Sequence, residues 1–345
     1  MLLATIASST LSSAPADFPL YRASVIKLPD MISSPYIVSF GVAALNDHGQ
    51  FVATVEDGLD VRAYMWGPTG RTALAPLKTA SDINNASEIV GSTEFENGLR
   101  AAVWREGVVT DLGVLPGDGT SGATAINTSG QVTGTSGAFP NRRAFFWDGT
   151  SLHDIGEFFP TDINDLSEIV GFPPSGPGVL WKNGITTTFN GLIINNALQY
   201  PTVGGMWDGE QTVCFDGSSV CDINMTGIDI NEEGDVVGWG SPEAFIWNKE
   251  LGLRYLIELL DPTDPFSAKV LSLQCPDAIN NNRQIIISCA TVEGIESALP
   301  YIPVLLTPVS GEGQHKVKVP FPTTCLVFLG AVALVIGYYQ KWKIH

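Results

Sequence analysis

Histidine is nearly absent from this chain: four occur in 345 residues, at positions 48, 153, 315 and 345, and no two share a spacing that zinc sites use. Positive charge is scarce as well. Eighteen basic residues stand against thirty-six acidic ones, a formal charge of −18, which disfavours nucleic acid and anionic membrane surfaces as partners. Charged residues make up only 16% of the chain and hydrophobic ones 44%, which excludes a disordered polypeptide. Five cysteines are too few for a dense disulfide framework. No segment before residue 310 carries a helical period, and no nucleophile motif is present. Gly117-Asp118-Gly119-Thr120-Ser121-Gly122 spells a dinucleotide loop, but it leads into the strand ending Ala125-Ile126-Asn127 rather than into a helix. No catalytic, cofactor-binding or metal residue is therefore assigned. The oxygen-rich turns at 162–165 and 229–235 are the one place for calcium, and turn chemistry explains them without it.

What the chain does have is a repeat. Asp82-Ile83-Asn84-Asn85-Ala86-Ser87-Glu88-Ile89-Val90-Gly91 returns as Asp162-Ile163-Asn164-Asp165-Leu166-Ser167-Glu168-Ile169-Val170-Gly171, with looser copies beginning Ala125-Ile126-Asn127, Asp229-Ile230-Asn231 and Ala278-Ile279-Asn280. Trp66, Trp104 and Trp147 each follow Asn46, Asn84 and Asn127 by twenty residues. Eight residues past each Trp comes an apolar residue: Leu74, Leu112, Ile155, Phe189 after Trp181, Phe215 after Trp207, and Tyr255 after Trp247. A seventh unit carries Tyr301 in place of the Trp. The fifth is the weak one, with Asn195 and Trp207 filling the wide gap between Asn164 and Asn231.

Each unit of about forty residues holds short runs rich in Val, Ile, Phe and Thr, separated by Asn, Gly and Asp turn signals, and so reads as four strands. The predicted fold is all-β: a β-propeller of seven four-stranded blades, with six as the fallback, plus a C-terminal transmembrane helix. Residues 23–28 are expected to complete the last blade and close the ring. Asn at each Ile-Asn corner is read as a residue that accepts left-handed angles and bonds its own turn, and Gly as a supplier of positive φ. The Trp of each unit is read as filler of the wedge between blades.

These units resemble the bacterial extracellular repeat proteins named for a His-Ala-Phe tripeptide, over residues 24–309. The similar stretches are Ala144-Phe145-Phe146-Trp147-Asp148-Gly149, Thr110-Asp111-Leu112-Gly113-Val114-Leu115-Pro116-Gly117, and Ala125-Ile126-Asn127-Thr128-Ser129-Gly130-Gln131-Val132. The naming His is Arg62, Arg100, Arg143, Glu243 or Ser297 here, so no role for it carries over. The resemblance implies an exported, propeller-like protein of poorly defined activity.

The termini bear on localisation. Residues 1–16 contain an apolar run, Met1-Leu2-Leu3-Ala4-Thr5-Ile6-Ala7, then Ser-rich sequence and Ala14-Pro15-Ala16, like a secretory signal peptide lacking its basic start. After the propeller region, 17–309, residues 310–318 read as a flexible linker. Residues 319–340 carry no charge and end in Lys341-Trp342-Lys343, long enough to cross a bilayer. Val319, Pro320 and Pro322, followed by the apolar stretch and the basic end, resemble a PEP-CTERM sorting tail over 319–345, with Phe321 where the usual Glu stands. That resemblance implies a sorting protease of the exosortase type as partner and a membrane contact through the tail.

An oxidising compartment would suit the disulfide candidates Cys214 with Cys221 and Cys275 with Cys289, each pair bracketing a turn, and leave Cys325 unpaired. Trp239 is out of frame, directly after Gly238, and is the candidate for stacking on a ligand, expected to be exposed while Trp104 and Trp147 are buried. The functional expectation is a non-catalytic surface or envelope protein binding extracellular polysaccharide or another envelope protein through propeller loops. A propeller-based glycan hydrolase or lyase is the alternative, and would need carboxylates converging at the centre.

Overall fold

A computed structural model describes residues 17–27, 39–56, 60–96, 98–221, 224–241, 243–294 and 301–309. The candidate signal peptide, Ser297, Cys325, the linker and the sorting tail with Val319, Pro320 and Pro322 lie outside them. No helix among the described residues is long and apolar enough to cross a membrane.

Seven antiparallel sheets follow one another along the chain. Blade 2 shows the plan: Thr79–Ile83 is innermost, then Ile89–Phe95, Gly98–Arg105 and Val108–Gly113. Blade 5 departs from four strands. Its sheet holds Tyr200–Pro201, Gly205–Trp207 and Thr212–Cys214, and the innermost segment before Asn195 runs without ladder bonds. Asn195 and Trp207 nevertheless keep the places their counterparts hold, so the fifth unit is a blade and the number is seven. Blade 7 takes its outermost strand from the other end of the chain: Tyr21–Val25 pairs antiparallel with Ile302–Pro308, Ala23 opposite Leu306. The expected closure by residues 23–28 is thus met by a strand starting two residues earlier.

Strand register corrects the reading of Tyr301. In the other blades the frame Trp lies opposite the first residue of the second strand, as Ile89 faces Trp104 and Val236 faces Trp247. In blade 7 the residue facing Ile285 is Leu306, not Tyr301. The apolar residue eight past the Trp is likewise supplied by the N-terminal strand. Ile26 donates its N–H to the carbonyl of Pro303, as Leu74 does to Ala63 and Phe215 to Gly204.

Burial lies between blades rather than at a single centre. Leu74, Leu77, Ala80, Ile83, Ile89 and Trp104 form one wedge, spanning blades 1 and 2. Phe215, Ile230, Val236, Phe245 and Trp247 form another. Burying such apolar surface stabilises by roughly 25 cal/mol per Å², so each blade is stable only against its neighbours.

Two residue choices have causes other than those expected. The turn Asn is not the left-handed residue. That conformation falls three positions later, at Gly49, Gly130 and Gly234, and at Ser87 and Ser167, both at φ 59°. The Gly of each Val-Gly is not needed for positive φ either. A Cβ on Gly91 would sit 1.8 Å from the carbonyl oxygen of Thr79, and one on Gly238 would sit 2.2 Å from that of Thr226. The innermost strand is bulged just there and presses its backbone on the second strand.

Candidate functional site in the propeller channel

Around the axis the repeated Asn residues make a closed ring. Each Nδ2 donates to the carbonyl of the next: Asn46 to Asn84, Asn84 to Asn127, Asn127 to Asn164, Asn164 to Asn195, Asn195 to Asn231, Asn231 to Asn280, and Asn280 back to Asn46, at 2.8 to 3.3 Å. Each Oδ1 accepts N–H groups of its own turn, as that of Asn84 does from Ala86 and Glu88. All seven are buried. Asn at this corner therefore does two jobs: it shapes its own turn and ties its blade to the next.

A second ring, exposed except at the half-buried Asp47 and Asn196, stands one residue further out. Asp47, Asn85, Thr128, Asp165, Asn196, Glu232 and Asn281 exchange side-chain to backbone bonds between adjacent blades, such as Asp165 with Thr128 at 2.9 Å and Asn281 with Asp47 at 2.8 Å. The carboxylates of Asp165 and Glu232 in the acidic turns are thereby engaged by protein donors. Asp235, fully buried, accepts from Asn231 and, with its two oxygens, from the Nε and Nη2 of Arg283. Among the described residues no group of three acidic, His or Cys side chains is placed to hold a metal ion.

Below the rim lie three carboxylates, of which Asp162 and Asp229 belong to the turns explained above by turn chemistry and Asp82 was assigned no role. Asp82, Asp162 and Asp229 sit two residues before the ring Asn of blades 2, 4 and 6, while blades 1, 3 and 7 carry Ala44, Ala125 and Ala278 there. The signal was present as Asp-Ile-Asn against Ala-Ile-Asn in alternate units. Each carboxylate bridges two backbones. Oδ1 accepts from the following Ile of its own strand, and Oδ2 accepts at 2.8 Å from the next blade, from Ile126, Ile194 and Ile279 respectively.

All three are half-buried but densely surrounded by protein; that desolvation, opposed by those N–H bonds, pushes Asp82 up to about 8, Asp162 to about 6 and Asp229 to about 7, and repulsion from the other two carboxylates adds to the rise at Asp82. Asp277 on the inner strand of blade 7 is also raised, to about 7, by burial; its Oδ1 accepts from Ser288 and its Oδ2 has no partner. Protons are thus held near the axis into the neutral range, in groups whose oxygens largely serve backbone donors.

The opposite face carries Trp239, the residues at the naming His and the disulfides, whereas the frame Trp residues lie at the Asn-turn end of their strands. Trp239 pairs with Thr226 and Ala244 at the outer end of its strand and is 38% exposed. Trp66, Trp104 and Trp247 are buried, whereas Trp147, expected to be buried, is half-buried with Trp181 and Trp207. Trp147 lies at the margin of its wedge beside Leu152 rather than in its interior. The residues at the family's naming His anchor loops on this face: Arg143 pairs with Asp118 and Asp154, Arg100 with Asp111, and Glu243 accepts the N–H of Leu273. Cys214 bonds Cys221 and Cys275 bonds Cys289, with Cα separations of 4.9 and 5.0 Å.

No family model and no curated protein sequence matches the chain. Solved structures do. A catalytically inactive virginiamycin B lyase from Staphylococcus aureus, solved with quinupristin, aligns at a TM-score of 0.50 and 12% identity, covering 84% of this chain and 100% of that one. Oligogalacturonate lyase from Vibrio parahaemolyticus aligns at 0.49 and 11%, covering 86% and 99%. The β-propeller domain of the Trilobed protease from Pyrococcus furiosus aligns at 0.46 and 10%, covering 77% and 96%. At such identities the likeness concerns the fold alone.

Proposed function

We propose that this chain is a non-catalytic, exported surface or envelope protein whose propeller binds extracellular polysaccharide or another envelope component through its loops. The observation that carries this reading is the engagement of Asp82, Asp162 and Asp229: each channel carboxylate spends both oxygens on backbone N–H groups of two blades. A glycosidase-type pair must instead present one acid to a leaving group and one carboxylate to a sugar carbon or a water. The two disulfides support an oxidising compartment, in keeping with the signal-like start and the tail over 319–345, which would hold or sort the protein at the membrane through an exosortase-type protease.

The rival reading, a glycan hydrolase or lyase, draws on the raised acids Asp82 and Asp229, since a general acid needs a proton near neutral pH. Glycan-array binding followed by product analysis separates the two. Retention of a saccharide without turnover supports the binding protein. Turnover that disappears in Asp82→Asn or Asp229→Asn, in protein that still folds, overturns it.

A further inference from the structure

Six frame Trp residues share one structural place, but the surroundings of Trp181 differ. At the junction of blades 1 and 2, Trp104 is closed in by Leu74, Leu77 and Met65. At the junction of blades 3 and 4, Trp181 meets Phe146 at 5.5 Å between ring centres, inclined by 39°, and both rings remain half-buried. Beside them the outer strand of blade 4, Ile185–Thr188, is exposed along its whole length, with Thr186 at the groove. The result is a groove of about 510 Å³ lined by Phe146, Asp148, His153, Trp181 and Thr186, within the size range of small-ligand sites.

Its polar groups are oriented. His153 leans on Phe146 at 6.1 Å, and its Nε2 is bonded to Asp148 Oδ2 at 2.7 Å. Ser151 also lies near that nitrogen, at 3.5 Å. The trio is therefore no catalytic triad, because a triad sets its hydroxyl and carboxylate on opposite ring nitrogens. The hydrogen bond from His153, with those from Thr150 and Ser151, holds Asp148 well below the usual carboxylate range. The free groups are Nδ1 of His153, the indole N–H of Trp181 and the hydroxyl of Thr186, none of which has a partner among the described residues.

We infer that this groove is a saccharide subsite, in which the C–H face of a neutral sugar ring lies on Trp181 and Phe146 while its hydroxyls bond His153, Thr186 and the indole N–H. An aromatic platform with a polar edge suits a ring that is apolar on its faces and polar around its rim. Asp148 at the groove and the chain's formal charge of −18 repel an acidic sugar. The inference rests on the saccharide branch of the proposed function and gives it a location and a ligand class.

The test is binding of neutral saccharides (dextran, laminarin and a neutral oligosaccharide array) and of acidic alginate to the full chain. Trp181→Phe and Thr186→Arg are compared with wild type and with Trp239→Ala, thermal unfolding serving as the check on folding. Wild type should bind at least one neutral saccharide, and both groove variants should bind it at least tenfold more weakly at unchanged melting temperature. Thr186 is an exposed strand residue, so its variant keeps the test open should Trp181→Phe fail to fold. Equal binding by the groove variants, or loss in Trp239→Ala alone, overturns the groove and leaves the binding function standing. Binding of alginate only overturns the neutral ligand class. Absence of all saccharide binding by wild type overturns the inference together with the saccharide branch of the proposed function.

Discussion

The side-chain amide of Asn280 donates to the backbone carbonyl of Asn46 at 2.8 Å, across 234 residues of sequence. That bond closes the ring of seven at the same junction where Tyr21–Val25 completes blade 7, so the two ends of the chain are joined by an outer strand and an inner side chain together. Cutting either should weaken the other.

The Asn ring sets the first prediction. Asn127 donates to Asn164 and Gln131 and accepts from Ser129 and Gln131, all close to or within the interior. Asn127→Ala leaves buried N–H groups unmatched, at about 1–3 kcal/mol for such a group. Asn85, one residue beyond the ring Asn and exposed, should cost under about 1 kcal/mol when changed to Ala. Urea unfolding of the two variants checks the contrast, and equal losses would show that the ring contributes no more than the rim.

Gly91 and Gly122 give a second contrast. A Cβ at Gly91 collides with backbone at 1.8 Å, whereas at Gly122 nothing lies within 4 Å. Gly91→Ala must shift one strand against another, and an overpacked site of this kind costs about 1–3 kcal/mol or more. Gly122→Ala should leave the urea midpoint nearly unchanged. Similar midpoints for both would contradict the close approach.

Acidic pH provides the third. In the unfolded chain Asp82, Asp162 and Asp229 lose their protons near pH 3.9; in the folded chain they keep them up to about 8, 6 and 7. Between about pH 4 and 8 the folded state therefore binds more protons, so these groups make stability fall as pH rises through that window and level off above it. The melting temperature should be higher at pH 5 than at pH 8.5. Asp82→Asn should make the slope shallower across that window and remove most of what is left near pH 8, above the values of about 7 for Asp229 and Asp277. A melting temperature that rises steadily from pH 5 to 8.5 would refute the assignment.

The propeller was legible because its repeated residues perform one structural task seven times. Asn84 and Asn127 bond the next blade, and Trp104 and Trp247 fill wedges, so spacing betrayed both. Where the physical task passes to a different residue, the pattern fails. Leu306 faces Ile285 without being aromatic, and Ile26 does from the N-terminus what Leu74 does within its own unit. Asp82, Asp162 and Asp229 were visible as letters but not as a set. Only closure of the ring brings alternate blades to a common axis, and a single strand does not tell a solvated turn acid from one facing a channel. The groove at Trp181 was hidden for the opposite reason: its Trp is in frame, and the half-burial that sets it apart from Trp104 is a tertiary property.

Disulfides give the last prediction. Cys214 and Cys221 are separated by 7 residues and Cys275 and Cys289 by 14, and the second pair also links neighbouring strands of blade 7, where Ser288 donates to the carbonyl of Cys275 and Gln274 to that of Cys289. Loop closure makes the longer crosslink worth slightly more to stability, about 3 kcal/mol for a loop of this length. Its site strengthens the argument, because blade 7 is the blade assembled from both chain ends. Full-length protein recovered from an oxidising compartment should therefore show one reactive thiol on unfolding, that of Cys325, protein that has lost its tail should show none, and reduction should lower the melting temperature of either. Cys275→Ser with Cys289→Ser should lower it at least as far as Cys214→Ser with Cys221→Ser. Five reactive thiols in protein isolated from its native location would remove the support that the disulfides lend to export.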